Sequence, residues 1–444
     1  MARVSRRNLL KLSGTGAAAA TTGGLAGILA SGRAPAYAQT PIVHWLKWND
    51  FVPAADEYLR KTGVPEAEKA LGIKINLETI GLNDLQARAT AAIQSKAGAD
   101  IIMGFNNHPQ LYAESLADVS ALCEKVAAGQ GGYYDMAKGN CHDGKRWIAV
   151  PYCIVGGLLT WRKSWFAEIG ITAANFPKTW DEYRAAGKKL KAAGHPIGQS
   201  LGHSVGDPVA FCYPFMWSFG GKEVEADGKT VAINSKNVID SVKYLTEFWK
   251  EAHDESGLAW DDSSNNRAYL SGTIACTLTG ASIYIEALRK PAQYMTDSGK
   301  PLKDDTLHAR LPSGPAGYYS FQSNQAMMVM GYSKNQKAAL DFLGWFHTPA
   351  NYEGWFTVQK GFACGPTKLW EAHKMWDEDP VMTPFRDAPA GARTTGFAGP
   401  ANQKAAEALS KYIVVDMYAK AVQGMPAEAA VAWADGELKK IYSV

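Results

Sequence analysis

The feature that most constrains the fold is an alternation of strand and helix patterns between residues 42 and 103. Residues 42–46 are a short apolar run, Ile73, Ile75, Leu77 and Thr79 alternate strictly, and Asp100-Ile101-Ile102-Met103 makes a third strand pattern. Residues 54–70 and 84–96, between them, are rich in helix formers. Strands that alternate with helices predict βαβ units, a parallel sheet and an α/β class. Ligands of such sheets sit beyond the carboxyl ends of the strands. Residues 47–50 and 104–108 are therefore candidate binding loops.

Farther along, Thr179-Trp180-Asp181-Glu182 has the spacing of a capping box and predicts a helix through Leu190. Val238, Ile239, Val242, Leu245 and Trp249 recur at helical spacing over residues 236–251. Residues 326–330 read as a buried strand and 337–346 as helix, while Pro380, Pro384 and Pro389 mark an irregular stretch. At 444 residues the chain is long enough for two or three units, each able to bury its own core.

The first 38 residues carry Arg3, Arg6, Arg7, Lys11 and Arg33 and no acidic residue. They run from a basic region through a weakly apolar one to Ala36-Tyr37-Ala38, the order of an export signal. Arg6-Arg7 followed by Leu9-Leu10-Lys11 resembles the twin-arginine type. A mature chain starting near Gln39 in a periplasm is expected. Without this segment 41 basic residues face 43 acidic ones, which lacks the positive footprint of nucleic-acid binding. Six cysteines in an oxidising compartment could pair. A bridge between Cys123 and Cys141 would close a short loop worth about 3 kcal/mol. Buried free thiols are the equal expectation for Cys153, Cys212, Cys276 and Cys364.

Catalytic patterns are sparse. Gly198-Gln199-Ser200-Leu201-Gly202 matches a nucleophile elbow, yet His203, Ser204, Gly206, Asp207 and Pro208 after it favour a loop over a helix. His195, His203 and Asp207 lack the spacing of a helical metal site. No metal and no cofactor is expected. Aromatic residues are plentiful, with 14 Trp, 19 Tyr and 15 Phe, and several adjoin amides and carboxylates, as in Trp48-Asn49-Asp50 and Phe105-Asn106-Asn107-His108. Rings can cover the C–H faces of a sugar while such polar groups replace the water lost by its hydroxyls.

Several stretches carry a family resemblance: Gly98-Ala99-Asp100-Ile101-Ile102, Leu111-Tyr112-Ala113, Leu116-Ala117-Asp118-Val119 and Trp147-Ile148-Ala149-Val150-Pro151-Tyr152. It continues through residues 158–166, Pro177-Lys178-Thr179-Trp180-Asp181-Glu182-Tyr183, Gly220-Gly221-Lys222, residues 268–280, Ser333-Lys334-Asn335 and residues 361–366. In this order the stretches resemble bacterial extracellular solute-binding proteins of ABC importers, the group that includes maltose-binding protein. The resemblance implies a two-lobe periplasmic binding protein fold with three hinge crossings, near residues 150–154, 275–278 and 325–330. The implied division is 39–151 with 279–326 as one lobe and 152–278 with 327–444 as the other.

By the same resemblance Trp48, Asn49, Asp50, Asn107, His108 and Tyr152 contact ligand from the first lobe. Asp207 and Trp217 line the second, and Gly280, Ser282 and Tyr284 follow the second crossing. The family often places Trp where Ser282 stands, which leaves Tyr284 as the substitute platform. Asn107 and His108 replace the charged groups that grip longer oligosaccharides, so a smaller hydroxyl-rich solute is favoured over a maltodextrin. The implied protein is a monomer without enzymatic activity, with a small solute and a membrane permease as its partners. Two alternatives stay open: an exported glycan hydrolase using Ser200, and the same binding fold with an amino compound or phosphate ester as ligand.

Overall fold

A computed structural model describes residues 40–443, so the export signal expected at residues 1–38 lies outside the described residues. Among the described residues nine strands form two sheets: β1 (Ile42–Trp48), β2 (Lys74–Ile80), β3 (Ile101–Phe105), β4 (Val150–Val155), β5 (Leu158–Arg162), β6 (Cys276–Thr279), β7 (Thr306–Ala309), β8 (Ser323–Val329) and β9 (Ala363–Cys364). The larger sheet has the order β2-β1-β3-β8-β4-β9 and the smaller β6-β5-β7.

The first three strands are parallel, as the βαβ pattern requires, with Ile42 opposite Lys74 and Trp48 opposite Ile80. The rest of the larger sheet is antiparallel: β8 runs against β3 and β4, and β4 against β9. The expected parallel sheet is thus a mixed one. Chain returning from the smaller sheet enters as β8 in the opposite direction.

Each sheet anchors its own core. Trp45, Ile101, Ile102, Met327, Val329, Phe342 and Trp355 belong to the first. Trp161, Phe166, Trp180, Phe215, Val242, Phe248, Val414 and Leu438 belong to the second. Chain passes between the sheets at Gly156-Gly157, again between β7 and β8, and a third time between Ala392 of the first core and Ala408 of the second.

These passages differ from the expected ones. Residues 275–278 largely form β6, an edge strand of the smaller sheet, and β7 joins that sheet as well because both pair antiparallel with β5. Residues 325–330 largely belong to β8, in the middle of the larger sheet. Residues up to β7 therefore stay with the smaller sheet, and residues 323–364 belong with the larger one. The implied 279–326 and 327–444 boundaries fall elsewhere because an apolar run reads the same whether it bridges two sheets or fills one.

The helices follow their local signals. The Thr179 hydroxyl accepts from the Glu182 N–H at 3.2 Å, the Glu182 carboxylate accepts from the Thr179 N–H at 3.1 Å, and helix Trp180–Ala192 follows. Helix Lys236–Ala252 buries Val238, Val242, Leu245 and Trp249. All six cysteines are buried and free, including Cys123 and Cys141, so the bridge considered between those two is not formed. None of the described helices is long and apolar enough to cross a membrane.

Candidate functional site

A cavity opens where the carboxyl ends of β1, β3 and β6 meet the Gly156-Gly157 link and the start of helix Asp207–Ser218. Its enclosed volume is about 50 Å³, within about 510 Å³ of empty space that includes open solvent. One wall is apolar: Trp48, Phe51, Leu82, Phe105, Val155 and Phe362. Trp48 is its centre, with Phe51 and Phe105 edge-on at 5.0 and 5.4 Å and Phe362 stacked at 6.1 Å between ring centroids. The opposite wall is polar, with Asp207, Asp262, Thr279 and Ser282, and Ser323 and Gln325 lie at its edge.

The polar wall is built by a helix start. The backbone N–H groups of Gly206 and Asp207 point at the Asp262 carboxylate, donating at 3.0 and 2.7 Å. A carboxylate there satisfies donors that a helix leaves open at its first turn. A Cβ on Gly206 would stand 2.9–3.0 Å from three carboxylate atoms of Asp262 and push that side chain aside. Asn265 donates to Asp207 Oδ2 at 2.6 Å. Burial, with the Asp262 charge beside it, pushes the Asp207 carboxyl well above its usual range. Burial raises Asp262 too, although the Ser204 hydroxyl and the helix N–H groups oppose the rise.

Asn106 ties the walls together. Its side-chain Nδ2 donates to Val205 O at 2.7 Å, and its Oδ1 accepts from the Ser323 hydroxyl at 3.0 Å. Its backbone has φ of +51°, a left-handed conformation that Asn tolerates better than most residues. Nearby, Asn107 Nδ2 donates to Thr395 Oγ1 at 2.7 Å.

Of the residues expected at a ligand, Trp48, Asp207, Gly280 and Ser282 line this one cavity. A Cβ on Gly280 would stand 3.0 Å from Phe362 and 3.1 Å from Val155, so a side chain there would crowd the apolar wall. The others lie off its wall. Asn49 is exposed. Asp50 is consumed by local bonds, accepting from the Val52 N–H and from Gln359, both at 2.9 Å. Asn107 begins the short helix His108–Leu111. His108 Nδ1 accepts from the Phe105 N–H at 3.3 Å, and burial depresses its pKa to about 4, so it is neutral at pH 7.

Tyr152 packs in the first core against Trp355, Phe346 and Trp45. Trp217 is buried in the second core against Tyr213 and Phe397. The Tyr284 hydroxyl donates to Asp379 at 2.8 Å, so this ring is no platform in the cavity. Ser200 sits in a buried loop with its hydroxyl donating to Asp261 O at 3.1 Å, and His203 pairs instead with Asp416 at 2.6 Å. The geometry of a nucleophile elbow is absent from that loop. Among the described residues no cluster of three or more His, Cys, Asp or Glu is arranged to hold a metal.

Sequence reasoning placed Phe105 and Asn106 in the candidate loop 104–108 but missed Phe51, Asp262 and Phe362. Asp262 stands in the polar run Asp261-Asp262-Ser263-Ser264-Asn265-Asn266, which reads as an ordinary surface loop.

A sequence profile described as "Bacterial extracellular solute-binding protein" matches residues 48–353. A Brucella abortus (strain 2308) protein that carries a binding-protein name is 25% identical over 332 residues, covering 69% of this chain and 74% of that protein. Among solved structures, maltose-bound MalE3 of T. maritima superposes with a TM-score of 0.74 at 18% identity, covering 90% of this chain and all of that one. An ABC transporter solute-binding protein of Thermotoga lettingae TMO, bound with alpha-D-tagatose, gives 0.76 at 17% identity, over 91% of this chain and 100% of the other.

Proposed function

This chain belongs to the bacterial extracellular solute-binding proteins, a family of binders and not of enzymes, and has the mixed α/β periplasmic binding protein fold; from that premise we propose that it captures a small hydroxyl-rich solute between its two sheets and delivers it to an ABC import permease. The solute is a sugar, polyol or glycoside, and the protein works as a monomer in the periplasm without a cofactor. The observation that carries the reading is the cavity, with an aromatic wall on the side of the larger sheet and a hydrogen-bonding wall on the side of the smaller one. Rings suit the C–H face of a sugar, and Asp207, Ser282 and Thr279 suit its hydroxyls.

An enclosed volume of about 50 Å³ has room for a few water molecules and not for a sugar, so a sugar enters only when the walls part. The two lobes follow the two sheets, and the hinges are the three passages at residues 156–157, 310–322 and 393–407. Opening breaks the Asn106 bond to Val205 O, and ligand restores the closed form because only that form touches it from both sides. An anionic ligand such as a phosphate ester has little support, since no lysine, arginine or histidine lines the cavity.

The test is a thermal-shift screen of sugars, polyols and glycosides, followed by small-angle scattering with any hit. A ligand at 100 times its Kd stabilises the protein by about 2.7 kcal/mol, well above detection, and should shrink the radius of gyration. A silent panel, or a hit that leaves the dimensions unchanged, refutes the reading.

A further inference from the structure

The polar wall holds two buried carboxyl groups with no cation among the described residues beside either of them. Asp207 and Asp262 are 8% and 6% exposed, both reach the cavity, and neither forms an ion pair with another described residue. Their bonds come from neutral donors: the Gly206 and Asp207 N–H groups, Asn265 and Ser204. An acidic pair alone would not define a ligand. A second observation does: Trp48, 2% exposed and forming the facing wall, carries an indole N–H with no acceptor among the described residues. One wall therefore lacks a cation and the other lacks an acceptor.

We propose that the solute carries a protonated amine beside its hydroxyls, as an amino sugar or amino polyol does, with the ammonium held between Asp207, Asp262 and the aromatic rings and a hydroxyl oxygen facing the Trp48 indole. This rests on the reading of the cavity as the solute site. A buried carboxylate pair is costly unless it is neutralised, and an ammonium neutralises it while supplying up to three donors. The faces of Trp48, Phe51, Phe105 and Phe362 attract the same charge through their quadrupoles. A neutral sugar offers donors but leaves the two carboxylates repelling each other, so one of them keeps a proton.

An amine displaces that proton, so its affinity rises with pH while that of a neutral polyol does not. The other titratable groups around the pair are Asp261 on the adjoining loop and Tyr412, which faces Asp262. His203 on the neighbouring loop is already paired with Asp416.

The test is isothermal titration of the full chain at pH 6, 7 and 8 with sorbitol, 1-amino-1-deoxysorbitol, glucose, glucosamine and ethanolamine. The hydroxylated amines are expected to bind at least tenfold tighter than their neutral counterparts, gaining up to about tenfold per pH unit if one proton is released. Asp207→Asn should erase that preference, and circular dichroism checks its fold, while the wild-type comparison stands without it. Sorbitol or glucose binding as tightly as the amines overturns this inference and leaves the hydroxyl-rich reading intact. Ethanolamine binding with no response to any sugar or polyol supports the charge and overturns the hydroxyl-rich reading. Calcium or magnesium alone stabilising the chain as strongly overturns the amine assignment, and silence from every compound overturns both.

Discussion

Glu223 should make this protein less stable as the pH rises from 4.5 towards 7. Its side chain is wholly buried, and its Oε2 accepts from the Gly396 N–H at 2.6 Å while Oε1 accepts from the Tyr213 hydroxyl at 3.3 Å. Burial dominates over those two bonds and pushes the carboxyl up to about 7 from an ordinary 4.5. Below pH 4.5 the group is protonated whether the chain is folded or not. Between 4.5 and 7 the unfolded chain loses the proton and the folded one keeps it. Stability therefore falls across that window at about 1.4 kcal/mol per pH unit, roughly 3 kcal/mol in all, and is level again above it. Glu223→Gln removes the titration and keeps an acceptor for Gly396.

Urea unfolding of both proteins at pH 4.5, 5.5, 6.5 and 7.5 measures the effect. The difference between them isolates Glu223 from the other buried groups, and it should grow in favour of the variant by about 3 kcal/mol as the pH rises. Because Gly396 adjoins Thr395, the partner of Asn107, the same titration loosens a segment that touches both cores. Parallel stability curves for the two proteins would refute the reasoning.

Other predictions concern the cavity and the buried groups. Gly280→Val places a side chain against Phe362 and Val155, and should abolish ligand-induced stabilisation while the protein still folds, as read by thermal shift. His108, with its pKa lowered by burial to about 4, contributes stability that is present above pH 6.5 and lost as the pH falls toward 4. His108→Asn should flatten that acid limb by about 3 kcal/mol in urea titrations. The six thiols should resist a maleimide in the native state and all react after unfolding, a shift of six adducts by mass spectrometry.

Local signals were legible wherever one residue pattern decides one local structure. The alternation at Ile75, Leu77 and Thr79 became β2, and the Thr179–Glu182 spacing became a cap with both arms formed. The rule that ligands sit at the carboxyl ends of parallel strands located Trp48 at the end of β1 and the loop after β3. The crossings were not legible, because the runs at residues 275–278 and 325–330 are buried strands in either role.

The site was legible only in part, for a related reason. The resemblance implies ligand contact for both Trp48 and Tyr152, yet one forms a cavity wall and the other is packed among Trp355, Phe346 and Trp45. Periodicity, capping and charge are short-range properties carried by neighbouring residues, so the sequence alone determined the element types and the family. Which side chains face the empty space depends on elements far apart in the sequence, as when Asp262 closes the helix that begins at Asp207 and Phe362 stacks on Trp48. Only the tertiary structure decided that, because burial and the loss of a counter-charge are set by what the rest of the chain brings alongside.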